Sequence, residues 1–562
     1  MLLLLLSWIY LLFISLGWGI FVQKFLPQKP NIFYTLLLGL FGNLIFLHFY
    51  AIFFPINAIY YGISSGIALL GIFSNRNYLK EKLKTYLEDW KNWKKSIQIL
   101  SILLTVLILI QSATKPYLID NETYYVQTIK WLNEYGLVKG LANLHIFLGQ
   151  QSGWHILQAG FNFGFISDSL NGINGFLLVV CTFFSLHHLN RFFTSKITMD
   201  LFLGLIPILN LLFFQFINIP SPDFPIFILS PIIFYLFYKN SVDYQGEFRL
   251  LLILSVFLIL AKISVTPLLI LPLVLLIKHR LWKNELSFFL SIGLISLIAF
   301  CLKNYIISGY LFYPTELLGN LVSVDWQLPL EVQQAFKPNK IASLIHLSHE
   351  ETAQLNTWQY LKEWLVEPGL RAIFNKLIIV LLLIFPFYIY KNKTLFWLYI
   401  YALIQFFLLF FISPQYRFFF PLIIGMSLYM FAKLFLNRPK YVIGFVFFFA
   451  LLPILTLFVP LNIEKIKNQK NSADQTFAFQ LENLIIPPKN SGKDFEFELK
   501  QEGNLQYHSP KTTEEFYWFT GDGELPTADQ KMIESFKKYF QIRPQMRTND
   551  VKDGFYAEKL DE

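Results

Sequence analysis

The chain has 562 residues, 55% of them hydrophobic and only 15% charged, whereas soluble domains carry roughly 25% charged residues. Its formal charge of +9 comes from 46 basic and 37 acidic residues, and the basic ones sit mostly in short loops between apolar runs, which argues against nucleic acid as a partner. Both cysteines, Cys181 and Cys301, lie inside apolar runs, which excludes a disulfide framework and a zinc knuckle.

Runs of about 17 or more apolar residues, enough to cross roughly 30 Å of hydrocarbon, recur along most of the chain. A signal peptide followed by a soluble protein is thereby excluded. In chain order the runs predict spans at 2–22, 31–53, 56–73, 97–113, 171–189, 200–218, 224–238, 286–302, 374–390, 394–412, 418–436 and 441–460. The stretch 250–278 is too long for one span and is interrupted by Lys262 and Pro267; it reads as two short spans meeting at an external turn. About fourteen helices are expected on this count.

Orientation follows from lysine and arginine, which stay on the cytoplasmic side. The segment 75–97 carries Arg76, Lys80, Lys82, Lys84, Lys91, Lys94 and Lys95 against Glu81, Glu88 and Asp89. Placing it inside also puts Lys24/Lys29, Arg191/Lys196, Lys239/Arg249, Lys278/Arg280/Lys283, Lys391/Lys393 and Arg438/Lys440 inside. Segments 114–170, 219–223, 305–373 and 413–417 then face outward with both termini. The predicted organisation is 1–95, N-terminal spans and a basic cytoplasmic loop; 96–436, a core with external loops; 437–460, a last span; and 461–562, a small extracytoplasmic α+β domain. The last is marked by polar composition and alternating stretches such as Phe495 to Leu499.

Function is sought in the outward segments. Asp120 stands just beyond a span, followed by Asn121, Glu122, Thr123 and an apolar helical pattern at Tyr125, Ile129, Leu132 and Gly136, expected to lie on the membrane surface. A second amphipathic stretch, Trp154 to Phe165, is expected there too, with Trp154 and His155 at the headgroup level. Pro220-Ser221-Pro222-Asp223 fixes a further carboxylate at an outer turn. Taken singly, Asp120 and Glu122 read equally well as helix capping and solvated charge, and Asp223 reads more readily as a cap. Lys262 falls between two short apolar helices, where an ammonium without a partner costs several kcal/mol; snorkelling to headgroups is its structural alternative. Lys303 and Arg417 stand at outer exits of spans, against the positive-inside bias.

Three cations and at least two carboxylates expected at one depth on one face suit a polyprenyl-phosphate sugar donor. Its tail would occupy the bilayer, its phosphate would bind Lys262, Lys303 and Arg417, and its sugar would reach the external loops. Asp120, Glu122 and Asp223 are the candidate catalytic acids, one of them deprotonating an acceptor hydroxyl. Tyr124, Gln127, His145, Trp154, His155, Asn304, Tyr310, Tyr313 and Tyr416 complete the candidate pocket. The sequence requires no cofactor, although paired carboxylates are compatible with Mg or Mn.

This arrangement resembles the GT-C superfamily of integral-membrane glycosyltransferases, which includes protein O-mannosyltransferases and bacterial aminoarabinose transferases. Asp120 with Glu122 matches the first acidic motif by position, Asp223 a second acid, and Ala261-Lys262-Ile263-Ser264 the lysine-bearing turn between two short spans. The resemblance covers roughly 96–314. The strings Gln127 to Trp131, Gly140 to His145, Ser221-Pro222-Asp223, Ser308-Gly309-Tyr310 through Tyr313-Pro314 and Glu482 to Pro487 also look like an uncharacterised family of bacterial multi-span membrane proteins. The resemblance implies a polytopic α-helical protein with a GT-C-like core in the bacterial cytoplasmic membrane, moving a sugar from a polyprenyl-phosphate donor to a glycan, lipid or protein acceptor. A transporter or flippase, or a polymerase or ligase of lipid-linked surface polysaccharide, is the alternative.

Overall fold

The computed structural model describes residues 1–242, 244, 246–319, 323–337, 344, 346–459, 477–512 and 518–560. Among these, eleven helices are long and apolar enough to cross a membrane: Leu2–Phe25, Ile32–Phe53, Lys95–Ser112, Ile173–Ser195, Thr198–Phe216, Asp223–Val242, Trp282–Ser308, Leu370–Ile389, Lys393–Ile412, Tyr416–Phe435 and Pro439–Leu457. Ala58–Ser74 is a shorter apolar helix, and an 82° bend separates it from the basic helix Arg76–Lys91. The interrupted stretch forms Phe248–Ala261 and Ile263–Lys278.

The spans form because their side chains are apolar on every face, and they start where short polar side chains can cap them. Asn31 accepts from the Tyr34 amide, Asn57 from that of Ile59, and Asn392 from those of Thr394 and Leu395. The first two spans touch backbone to backbone. A Cβ on Gly19 would lie 2.0 Å from the Thr35 carbonyl oxygen, and one on Gly39 would lie 1.8 Å from that of Ser15. Small residues permit such close approach between helices in lipid.

Polar contacts sort the connections into two ends. At one, Arg249 reaches the Phe25 carbonyl at 2.7 Å, the Lys94 amide donates to Asn190 at 2.9 Å, and His187 meets Asp89 at 2.8 Å. This end gathers the basic loops. At the other, Trp8 donates to Gly172 O at 3.0 Å, Asn218 to Lys115 O at 3.1 Å, and Gln405 to Ser264 O at 2.9 Å.

The two stretches expected at the membrane surface are covered by protein. Every residue of Gly153–Ala159 is buried, including Trp154 and His155, because the span Ile32–Phe53 and the helices Phe248–Ala261 and Val126–Glu134 cover it. Apolar character told that one face needs covering; the protein covers all of them. Val126–Glu134 is itself roofed by the C-terminal region. That region holds the antiparallel hairpin β1 (Phe497–Glu502) and β2 (Leu505–Pro510), a helix Gln530–Phe540, and the antiparallel hairpin β3 (Ile542–Met546) and β4 (Phe555–Lys559). The predicted beginning of this tail, 461–476, lies outside the described residues.

The C-terminal region docks on the segment that carries Asp120. The Thr520 and Gly521 amides donate to Glu122 O at 2.9 Å, Gln127 Nε2 to Gly523 O at 2.8 Å, and the Phe555 amide to Lys139 O at 2.9 Å. Arg547 pairs with Asp325 at 2.8 Å. Gly140 makes the close approach of β4 feasible: its φ is +62°, and a Cβ there would stand 2.0 Å from Phe555 O.

Candidate functional site

Four of the residues singled out from sequence meet in a chain of alternating charge. Asp120 Oδ2 accepts from Arg417 Nη1 at 2.8 Å, and Arg417 Nε lies 3.5 Å from Asp223 Oδ2. The other oxygen of Asp223 accepts from Lys262 Nζ. Lys262 also stands over the Phe418 ring, 3.8 Å from its centre. The side chains of Asp120, Arg417 and Lys262 are 30%, 32% and 21% exposed, and that of Asp223, between the two cations, only 4%.

Each charged group is held by a break in helical structure. Asp223 is the first residue of its helix, released by Pro220 and Pro222. The preceding turn is fixed by Asn174, whose amide donates to Phe216 O at 2.9 Å, Ile219 O at 2.7 Å and Ser221 O at 3.2 Å while its oxygen accepts from Trp154 Nε1 at 2.8 Å. Trp154 therefore positions the turn from within the protein. Lys262 ends its helix in extended conformation, with φ −155° and ψ 112°, and a short 3-10 stretch containing Pro267 follows. Arg417 sits in the 3-10 turn Tyr416–Phe419. Trp364, buried against Phe406, Phe410 and Phe419, donates to Pro414 O at 2.8 Å and pins that turn.

Aromatic groups line the same place. Tyr124 lies in the single π-helical turn Asn121–Tyr125, and burial, followed by the nearby Asp120 charge, raises its phenol well above the ordinary range. Tyr125 and His155 pack ring against ring at 4.7 Å. Burial, then Lys303, holds His155 at about 3 against the opposing pull of Asp120, so its imidazole is neutral at pH 7. Tyr416 stacks on Phe374 at 5.8 Å.

Other candidates are engaged elsewhere. Glu122 accepts from Ser491 Oγ at 2.6 Å, Gly492 N at 2.7 Å and Asn121 Nδ2 at 2.8 Å. It acts as a clamp on the C-terminal region rather than as a member of the charge chain, and burial raises its carboxyl despite these donors. Lys303 is buried and donates to Gln151 O, so its ammonium serves the loop beneath the site. Gln127 faces the C-terminal region. His145, held at about 3 by burial, is enclosed between the same two layers. Asn304 donates to Tyr313 O at 3.4 Å, Tyr310 to Leu328 O at 2.9 Å, and the Tyr313 ring closes over Gly149; these three shape the loop after Ser308. Among the described residues, no group of three or more His, Cys, Asp or Glu side chains is placed to hold a metal ion.

Sequence reasoning missed Asn174, Trp364, Phe418, Ser491 and Gly492. A buried amide in an apolar span and a tryptophan just before one are the signals that mark the first two.

A family model described as Domain of unknown function (DUF8201) matches residues 1–424. The matched stretch contains all four members of the charge chain. Neither a curated protein nor a solved structure matches the chain.

Proposed function

The chain belongs to this domain-of-unknown-function family, and from the site we propose that it is a membrane glycosyltransferase with a GT-C-like core, moving a sugar from a polyprenyl-phosphate donor to a hydroxyl acceptor. The observation that carries this reading is the Asp120–Arg417–Asp223–Lys262 chain, built at one end of the helices. On this reading the eleven long spans, Ala58–Ser74 and the two short helices together make about fourteen crossings. The site and the C-terminal region then lie on the outer face of the bacterial cytoplasmic membrane, opposite the basic loops.

In the reaction, a carboxylate takes the proton of the acceptor hydroxyl and the acceptor oxygen attacks the anomeric carbon of the sugar. The bond from that carbon to the phosphate oxygen breaks, and the polyprenyl phosphate leaves with the electron pair. Arg417 and Lys262 stabilise the charge that develops on the leaving group. Asp120 suits the base because it is the more exposed acid. Asp223, held between two cations, keeps them aligned for the phosphate.

A second reading, a transporter or flippase of a lipid-linked saccharide or a polymerase or ligase of surface polysaccharide, is favoured by one observation: the two acids and two cations already neutralise one another. Transporter sites lie near the bilayer midplane, whereas these four groups stand at helix ends.

The test is a transfer assay in nanodiscs with a panel of labelled polyprenyl-phosphate sugars. Asp120→Asn should reduce turnover by about 100-fold to 10,000-fold with little change in donor binding. Normal transfer by both Asp120→Asn and Asp223→Asn would refute acid-base transfer and favour transport.

A further inference from the structure

The segment 477–487 crosses between two spans that are far apart in the sequence. Its Phe479 amide donates to Leu457 O at 3.0 Å, at the end of Pro439–Leu457, and its Ile485 carbonyl accepts from the Leu3 amide at 3.0 Å, at the start of Leu2–Phe25. These bonds set the height of the segment at the ends of two helices that are themselves read as spans. Its path is therefore along the membrane surface.

Besides the exposed Gln480 and Glu482, it presents uncovered apolar side chains. Leu481 is 78%, Ile485 65% and Ile486 57% exposed, with Leu484 also exposed. They continue the exposed faces of the two spans they join, Leu2, Leu6 and Ile9 on one side and Leu455 and Phe458 on the other. Isolated exposed apolar residues need no explanation, but a contiguous patch at this height does. Exposing it to water is unfavourable in proportion to its apolar area.

We propose that 477–487 is an in-plane membrane anchor, its Leu481, Leu484, Ile485 and Ile486 side chains inserted at the boundary between headgroups and acyl chains. The chain continues from it directly to the segment that carries Asp120. The Asn490 amide donates to Asp168 O at 2.7 Å, Asn121 Nδ2 donates to Asn490 O at 2.8 Å, and Ser491 and Gly492 bind Glu122. The anchor thus sets the depth at which the C-terminal region rests on the segment carrying Asp120. The inference stands apart from the glycosyltransferase reading, since it depends on no substrate.

Its test uses the full chain in nanodiscs, with Cys181→Ala and Cys301→Ser and one new cysteine bearing a nitroxide. The new cysteine is Ile485→Cys, or Leu481→Cys as a second site should the first fail to fold; Leu499→Cys on β1, also 56% exposed, is the reference. Power saturation compares collisions with oxygen, which concentrates in lipid, and with a water-soluble nickel chelate. Position 485 or 481 should favour oxygen several-fold over position 499. Nickel access equal to that at 499 would overturn the anchor in favour of a solvated surface, and shielding from both reagents would overturn it in favour of a second protein copy.

Discussion

Asp223→Asn is the most direct probe of the charge chain. It removes the charge shared by Lys262 and Arg417 while keeping the shape of the side chain. The Asp223 side chain is 4% exposed and that of Lys262 21%, and removing one partner of a buried pair costs about 3–5 kcal/mol because the other is left uncompensated. The lower part of that range applies, since Lys262 retains some access. Asp120→Asn breaks a pair that is about one-third exposed at both partners, for which about 1 kcal/mol or less is expected. Adding Lys262→Met to Asp223→Asn removes the stranded ammonium and should recover about 1–3 kcal/mol. Reversible unfolding of the four proteins in mixed dodecyl maltoside and sodium dodecyl sulfate measures all three quantities. The reasoning fails if the double variant is no more stable than Asp223→Asn, or if Asp120→Asn costs as much as Asp223→Asn.

Glu122→Ala should loosen the C-terminal region, because it removes the acceptor of the buried Gly492 amide and the bond from Ser491; leaving a buried donor unpaired costs about 1–3 kcal/mol, and limited proteolysis within 490–560 should accelerate by roughly tenfold or more at equal protease. Gly140→Ala should destabilise the docking of β4 on Lys139 through the Phe555 carbonyl and the positive φ, by about 1–3 kcal/mol, read as faster amide exchange in β3 and β4. His346 lies 3.0 Å from Glu363 and 2.9 Å from Glu367; burial lowers its pKa, but these carboxylates outweigh it and raise the group above its ordinary value. The stabilisation is therefore complete below about pH 6.5 and lost as pH rises through the higher folded value, so protection of Thr357–Leu365 in hydrogen exchange should fall from pH 6 to pH 8 after correction for the intrinsic rate, and His346→Gln should abolish that change.

The helical membrane class was legible because the bilayer demands long apolar runs, and the charge chain was legible because Asp120, Asp223, Lys262 and Arg417 each stand at the end of such a run. The membrane fixes their height, so ionisable residues remote in sequence fall at one level. What connects them was not legible. Pairing of Lys262 with Asp223 rather than with a headgroup depends on how helices pack laterally, which hydropathy does not encode. Glu122 reads as a twin of Asp120 in sequence, yet its partners at Ser491 and Gly492 are supplied from the far end of the chain. The burial of Trp154 and His155 was missed for a related reason: amphipathic spacing identifies a face to be covered but not the layer that covers it.

The bond from the Leu3 amide to the Ile485 carbonyl also has a meaning in time. On a ribosome, Leu2–Phe25 is complete long before residue 485 exists, so this contact can close only after all eleven long helices have been synthesised. The opening helix must wait in the membrane with its end unsealed. The bond is thus a late latch, and truncation before 477 is expected to free the N-terminal end of Leu2–Phe25 while its close packing on Ile32–Phe53 persists.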